Sequence, residues 1–340
     1  MSLARAIATG DVAELPSRRD EDWRWTDLRA LIRTVPDASP VHEGPLEPGP
    51  FAAEQTVLVV NGHGARPVHV RDDGVVALRF VSRATQTAHH ARMAIEVEAG
   101  RSLTLLESYE GQGTGYLASA ELDIRLGEGA RLERVVLADD HEDAVSVSLA
   151  RVTLAAGAIF EQTVLTSGAK RQRIETQVAH PGHGAAVRMD GAYLIGGKRH
   201  GDITTVVAHE GVDGVTSQLI KGVVRDQGRG VFQGRILVAE GADRTDARMG
   251  HHALILSERA EVDAKPELLI YADDVQCAHG NTIGALDEDA IFYARQRGIP
   301  DADARAMLTE AFVGEVIDRI GHDGAREAAR AWAAKRLGGG

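Results

Sequence analysis

Short runs of alternating apolar and polar residues, separated by glycine-containing breaks, fill the chain from about residue 56 to residue 271. Examples are AIEVEAG, AELDIRLGEGA, VSVSLARVTLAAGA and RGVFQGRILVAEGA. Alternation with a period of two indicates β-strands that bury one face, and the glycine breaks indicate tight turns. The stretch lacks an amphipathic helix pattern. The absence of such helices excludes a doubly wound sheet, because the parallel strands of that fold need crossover helices.

The glycine breaks recur at a nearly constant interval. Gly129 follows Gly100 by 29 residues and Gly157 follows Gly129 by 28, and LGEGA, LAAGA and VAEGA share one shape. A repeating strand-and-turn unit predicts a β-solenoid, in which each coil packs on the next. The aromatic content of 4% and the 37 glycines fit a thin core of small aliphatic residues. The predicted fold is therefore mainly β. Because the repeat is degenerate, a sandwich or several small barrels is the alternative.

Two segments precede the predicted strands. Residues 1–35 are predicted to be helical, because in DEDWRWTDLRALI the spacing of Trp25, Leu28 and Ile32 matches one buried helix face. Residues 36–55 contain Pro36, Pro40, Pro45, Pro48 and Pro50. Since proline lacks a backbone donor and disfavours helix, this segment is predicted to be an extended linker.

The period becomes helical after a predicted β core that spans residues 56–284. Within the C-terminal region, residues 285–340, a first helix is expected to stop near Gly298 and a second to begin at Pro300. The second helix carries an apolar stripe with one residue every four positions: Leu308, Phe312, Val316 and Ile320. Such a stripe usually packs on its own protein, and at the end of a solenoid it is also a candidate docking surface for a partner.

Charge and hydropathy exclude several classes of protein. The net charge of −12, with basic residues interspersed among acids, argues against a nucleic-acid surface. No run approaches the roughly 20 apolar residues of a membrane span, and the first residues lack the apolar core of a secretion signal. One cysteine excludes an internal disulfide framework. The expected location is the cytoplasm.

That cysteine, Cys277, stands two residues before His279 in the run DDVQCAHGNTIG. A thiolate and an imidazole at this spacing are candidates to bind a soft metal or to carry sulfur. A closed tetrahedral site needs four protein ligands, so further ligands must come from elsewhere in the chain or from another protein. The alternative is a cysteine that only packs.

Other motifs are weaker candidates. The run AYLIGGKRH at 192–200 lacks the first glycine and the final Ser or Thr of a phosphate loop, so no nucleotide site is expected. The histidines of HPGH at 180–183 and of the pair His251 and His252 are expected to cap turns or face water. Aligned carboxylates, Asp243 with Asp246 or Asp273 with Asp274, keep a carbohydrate-active β-helix enzyme open as an alternative function.

Three segments closely resemble the SufB/SufD family of iron–sulfur cluster assembly scaffolds. They are LPSRRDEDWRWTDL at 15–28, KGVVRDQGRGVFQGRILVAEGADRTDA at 221–247, and AEVDAKPELLIYADDVQCAHGNTIGALDEDAIFYARQRGIP at 260–300. The last is long and ungapped, and it includes the Cys-x-His pair. The first segment is of the SufD kind.

The resemblance implies a right-handed parallel β-helix flanked by helical N- and C-terminal regions. It implies pairing with a SufB-like subunit and a transient iron–sulfur cluster or iron near Cys277 and His279. It also implies binding of a SufC-like ATPase through the C-terminal helices, with the stripe of Leu308, Phe312, Val316 and Ile320 as the expected docking surface. A homodimer is expected to be possible in the absence of SufB. In this setting the chain supplies ligands and no turnover of its own. A further alternative is a purely structural subunit that anchors the ATPase.

Overall fold

The computed structural model describes residues 1–180 and 182–338. Pro181, Gly339 and Gly340 lie outside the described residues, so part of the HPGH motif and the last two residues of the predicted region 285–340 do as well. The protein is mainly β, with helices near both termini. The strands are β1 Gln55–Val60, β2 Val68–Val70, β3 Gly74–Ser82, β4 Ala88–Val97, β5 Ser102–Gly111, β6 Leu117–Leu126, β7 Arg131–Asp139, β8 Val145–Leu154, β9 Ile159–Thr166, β10 Arg171–His180, β11 Ala186–Ile195, β12 His200–His209, β13 Val215–Val224, β14 Arg229–Val238, β15 Thr245–Ile255, β16 Glu261–Ile270 and β17 Val275–Gly284.

The strands form two parallel sheets between which the chain alternates. Odd-numbered strands stack in order from β1 to β17, and even-numbered strands stack in order from β2 to β16. Each coil therefore adds one strand to each sheet, which confirms the predicted parallel β-helix. Gly100, Gly129 and Gly157 all have φ between 64° and 68°, the left-handed region that favours glycine. The interval of 28 to 29 residues is thus one coil, closed at the same turn each time.

Aliphatic side chains from both sheets fill the interior, as the low aromatic content predicts. One contiguous core runs from Val57 in the first coil to Ala260, just before β16. The interior also contains polar side chains near its middle. Arg134 and Glu107 are almost fully buried, and Arg134 also reaches Gln162 on the next coil. Burial of these polar groups is tolerated because they are paired with each other.

The N-terminal region departs from the prediction. It contains one helix, α1 Leu3–Thr9, and two 3-10 turns, Val12–Glu14 and Glu21–Trp23, and the expected helix through Ile32 is absent. Leu28 and Ile32 are nevertheless buried, against Ala88, Leu117 and Val145 of the β-helix. The segment follows the outer face of the eight-stranded sheet in an irregular conformation.

Tertiary hydrogen bonds explain why this segment is not a helix. Arg173 donates to the backbone carbonyl of Asp22 at 2.6 Å and lies against the ring of Trp23. Thr26 donates to the buried carboxylate of Asp202. An α-helix would use the Asp22 carbonyl internally, so the backbone stays open to the sheet instead. Residues 36–54 then form no strand beyond an isolated bridge between Ala38 and Ala88.

Three helices follow the last strand: α2 Glu288–Gln296, α3 Asp301–Ile317 and α4 Asp323–Leu337. As expected, the break between α2 and α3 falls at Gly298 and Pro300, where Gly298 has a φ of 85°. Among the described residues, no helix has both the length and the apolar character that crossing a membrane requires.

The stripe on α3 packs mainly on the protein itself. Val316 and Ile320 are buried with Val313 and Ile317, against Leu106, Val135, Leu165 and Leu194 of the nine-stranded sheet and against α4. Phe312 is partly buried beneath the Lys221 ammonium, and Leu308 is partly exposed. Val316 and Ile320 therefore cannot contact a partner while the helices remain docked. Periodicity identifies a buried face but not the surface that buries it.

Candidate functional site at the open end of the β-helix

The last coil leaves the end of the β-helix uncovered. Within the described residues, β16 and β17 each pair with a strand on one side only, β14 and β15 respectively. We call β16 and β17 together the open end. It presents two rows of backbone donors and acceptors without strand partners, a feature that natural proteins usually cover or pair.

Cys277 and His279 lie on β17 with their side chains on the interior face of the strand. Their register partners on β15 are Ala247 and Met249, which are both buried in the core. Because register partners in a parallel β-helix stack in columns, the side chains of Cys277 and His279 continue interior columns to the open end. Cys277 is partly buried against the core, and His279 is exposed.

The environment of Cys277 keeps it in the thiol form. Burial raises the pKa of the thiol most, a hydrogen bond with the Ala247 backbone lowers it by a smaller amount, and the Asp246 carboxylate raises it by the least. A cysteine acts as a metal ligand or nucleophile as the thiolate. The Cys277 thiol therefore needs a positive charge or a metal ion close by before it can act in either way.

The ligand set at the open end is partial. Among residues 1–180 and 182–338, no group of three or more His, Cys, Asp and Glu side chains is arranged to hold a metal ion. Asp273 and Asp274 are exposed in the turn before β17. The thiol and imidazole have the soft and borderline character that suits iron and sulfur chemistry, but they fill only part of a coordination sphere.

Two further residues of the site were missed from the sequence. His251 on β15 is fully buried, with Nε2 2.8 Å from the Tyr193 hydroxyl and Nδ1 2.6 Å from Asn281 Oδ1. Asn281 shares the interior face of β17 with His279, two residues away. The expectation that His251 caps a turn or faces water is wrong, since the ring stacks on Phe232 inside the core. The alternation that places His279 inward could have identified Asn281.

Apolar side chains surround the polar residues at the open end. Ile270 and Ile283, whose register partners Val238 and Ala253 are buried, are 41% and 43% exposed. At the opposite end the interior side chains Val57 and Val59 are 1% exposed. There the chain folds back through two backbone hydrogen bonds between Val60 and His63. Strand edges are free at both ends, since β1 and β2 also pair on one side only, but the interior side chains are buried at the β1 end and exposed at the open end.

Three large apolar side chains on the C-terminal helices are also exposed. Phe292 and Tyr293 on α2 are each 61% exposed, and Met307 on α3 is 56% exposed. We call these three residues the helical patch. They are not part of the stripe identified from the sequence, because they lie on the helix faces that point away from the β-helix.

The weaker motifs occupy structural positions. Gly197 in the GGKRH run has a φ of 64°, and its backbone donates to Asp226 across a turn. His180 and His209 are register partners whose rings meet edge to face inside the core, with a centroid separation of 3.9 Å. His180 therefore packs in the core, contrary to the expectation of a turn cap or a solvent-facing ring. Asp246 forms a salt bridge with Arg248 on the surface.

Comparison with known proteins identifies the family. The model described as SUF system FeS cluster assembly, SufBD core domain, matches residues 80–312. SufD of Escherichia coli is 33% identical over 257 residues, which cover 75% of this chain and 60% of the relative. A SufBD family protein of Synechocystis is 31% identical over 238 residues, which cover 67% of this chain and 52% of the relative. A SufBD family protein of Mycobacterium leprae is 27% identical over an alignment of 369 residues, which covers 96% of this chain and 92% of the relative.

The match thus spans less than two thirds of the length of the Escherichia coli and Synechocystis relatives. The matched region nevertheless contains the β-helix from β4 onward, the Cys277 and His279 pair, and α2 with most of α3. The parallel β-helix, the terminal helices and the family match all agree. The chain therefore belongs to the SufB/SufD family of iron–sulfur cluster assembly proteins, and among its members it most resembles SufD.

Proposed function

We propose that this chain is a SufD-like subunit of an iron–sulfur cluster assembly scaffold and that its open end pairs with a SufB-like subunit. The observation that carries the proposal is the coincidence of three features at one end of the β-helix. They are the unpaired edges of β16 and β17, the exposed core side chains beside them, and a partial ligand set of Cys277 and His279.

Pairing with a second β-helix would remedy all three features. It would satisfy the free backbone groups of the edge strands, as β-strand addition does in other complexes. It would bury Ile270 and Ile283, and it would add ligands from the partner to those of this chain. Pro266 removes one backbone donor from the free edge of β16, as proline does on edge strands, so the complete row of edge donors lies on β17.

The two ligand candidates have different chemical roles. His279 is exposed and offers a ring nitrogen to iron. Cys277 is partly buried as a thiol, so it becomes a ligand or receives sulfur only when iron or a cationic group of the partner lowers its pKa. The histidine is thus the stronger ligand candidate in the free chain.

A SufC-like ATPase is proposed to bind the C-terminal helices through the helical patch. Phe292, Tyr293 and Met307 are large, apolar and exposed, whereas Val316 and Ile320 are covered by the sheet. Aromatic side chains and methionine are enriched in protein interfaces. Because α3 and α4 pack on the nine-stranded sheet, force applied to the patch would be transmitted to the β-helix, where interfaces can switch between discrete arrangements.

The test of the ligand assignment is His279→Ala in the complex with the SufB-like and SufC-like partners. We expect unchanged co-purification, because the edge strands and the apolar side chains beside them remain, and a cluster yield reduced at least tenfold in anaerobic reconstitution. His69→Ala is the matched control, since His69 is exposed on β2 at the opposite end of the β-helix. A wild-type yield for His279→Ala would contradict the assignment. If Cys277→Ala also retained it, a purely structural role would be favoured.

A further inference from the structure

A chain of three hydrogen-bonded side chains connects the interior of the β-helix to the open end. Tyr193 on β11 and His251 on β15 are both fully buried, and Asn281 lies on β17. The Tyr193 hydroxyl is 2.8 Å from His251 Nε2, and His251 Nδ1 is 2.6 Å from Asn281 Oδ1. The imidazole is held between Phe232, at a centroid distance of 5.0 Å, and Tyr193, at 5.9 Å.

The backbone leaves room for this arrangement. A side chain at Gly222 or Gly230 would collide with the Tyr193 ring. Neither glycine has a positive φ, so glycine is needed at these positions to leave room for the ring and not to allow an unusual backbone conformation. The ring of Tyr193 therefore reaches across one coil, past Gly222 on β13, to the imidazole on β15.

Hydrogen-bond satisfaction determines the direction of each bond. Among the described residues, His251 is the only hydrogen-bond partner of the Tyr193 hydroxyl, which must donate to Nε2 to avoid a buried unsatisfied proton. His251 then carries its proton on Nδ1 and donates to Asn281 Oδ1. The amide oxygen of Asn281 thus points inward, and its NH₂ group points toward the open end. A free asparagine would sample both orientations.

We propose that Asn281 is a positioning residue that presents a fixed N–H donor to the sulfur-containing group bound beside Cys277 and His279. The inference rests on the proposed function, because it names a further residue of the same site. His279 and Asn281 are two residues apart on one face of a strand, a separation of about 6.6 Å along the backbone. Hydrogen bonds to sulfur are one of the means by which proteins tune iron–sulfur clusters, so a donor at this position has a defined chemical role.

Two substitutions separate the donor from the structural role of Asn281. Asn281→Asp keeps an oxygen that accepts from His251 but removes the outward donor, and Asn281→Leu removes both. The matched control is Thr282→Val, because Thr282 bonds His252 at 2.7 Å on the opposite face of the same two strands. We expect both Asn281 variants to lower the cluster yield in the reconstituted complex about tenfold, and Thr282→Val to leave it unchanged.

A second measurement needs no cluster. In the free chain labelled with ¹⁵N-histidine, NMR is expected to show His251 with the proton on Nδ1, both in the wild type and in Asn281→Asp. In Tyr193→Phe, both tautomers should appear, because Nε2 loses its donor. A wild-type proton on Nε2 would overturn the assignment of the amide orientation.

The outcomes distinguish this inference from the proposed function. If His279→Ala loses cluster yield while both Asn281 variants keep the wild-type yield, the donor role is overturned and the ligand role of His279 stands. If neither His279→Ala nor the Asn281 variants lose yield, the ligand assignment in the proposed function is overturned together with the donor role. Loss of cluster yield in His279→Ala and in both Asn281 variants, with normal association and an unchanged His251 tautomer in Asn281→Asp, supports both the ligand role of His279 and the donor role of Asn281.

Discussion

The pair formed by Arg134 and Glu107 offers a demanding test of how the interior is stabilised. Arg134 bonds both carboxylate oxygens of Glu107 at 2.7 Å, and it also donates to Gln162 and Thr176. The side chains are 1% and 0% exposed. Replacing Arg134 with Met would keep much of the volume but leave the Glu107 carboxylate buried without its cation.

The expected cost follows from that burial. Removing one partner of a buried ion pair destabilises a protein by about 3–5 kcal/mol, because the remaining charge is desolvated and uncompensated. Exposed pairs contribute roughly 0–1 kcal/mol, so the Arg92 and Asp123 pair on the surface provides the matched control. Arg92→Met should therefore leave the urea midpoint close to that of the wild type.

The assay is urea unfolding monitored by far-ultraviolet circular dichroism. The double variant Arg134→Met with Glu107→Leu should recover most of the loss, since an apolar pair leaves no buried charge. The reasoning would be refuted if Arg134→Met unfolded with a free energy within about 1 kcal/mol of the wild type. It would also be refuted if the double variant were no more stable than the single one.

Two further predictions concern the buried His180 and the exposed helical patch. Burial lowers the pKa of His180 to about 4, so the unfolded chain binds protons first and stability falls as the pH drops from about 6.5 toward 4. In urea titrations His180→Leu should reduce this loss by up to about 3 kcal/mol, and an unchanged pH dependence would contradict it. For the helical patch, Phe292→Asp and Met307→Asp should each weaken binding of the SufC-like ATPase at least tenfold in pull-down titrations. The exposed control Val41→Asp should bind normally, and normal binding by both patch variants would exclude this surface.

Much of the fold could be predicted from local patterns. The period-two alternation and the spacing of Gly100, Gly129 and Gly157 predicted a β-solenoid, because the same turn recurs once in every coil and glycine suits its left-handed φ. The Cys277 and His279 pair was singled out from its residue types and spacing alone, and neither residue was assigned to a strand face. These properties depend on nearest neighbours in the chain, so the sequence carries them directly.

Long-range contacts account for the errors. The segment before Ile32 has helical spacing, but its backbone carbonyl at Asp22 is taken by Arg173, about 150 residues away in sequence. The α3 stripe was identified correctly as apolar, yet periodicity could not show that Val316 and Ile320 pack on the chain's own sheet. His251 gave no local signal of burial because its partners come from separate coils.

The sequence by itself determined the spacing of the strands, the position of the turns, the family and the two ligand candidates, since each of these depends on residues that lie close together in the chain. Only the tertiary structure decided that the interior side chains are buried at the β1 end and exposed at the open end, and that Asn281 is held beside His279 by Tyr193 and His251. The physical reason is that edges, columns and buried hydrogen bonds exist only after distant coils stack. A partial site becomes meaningful once its position at an uncovered end is known.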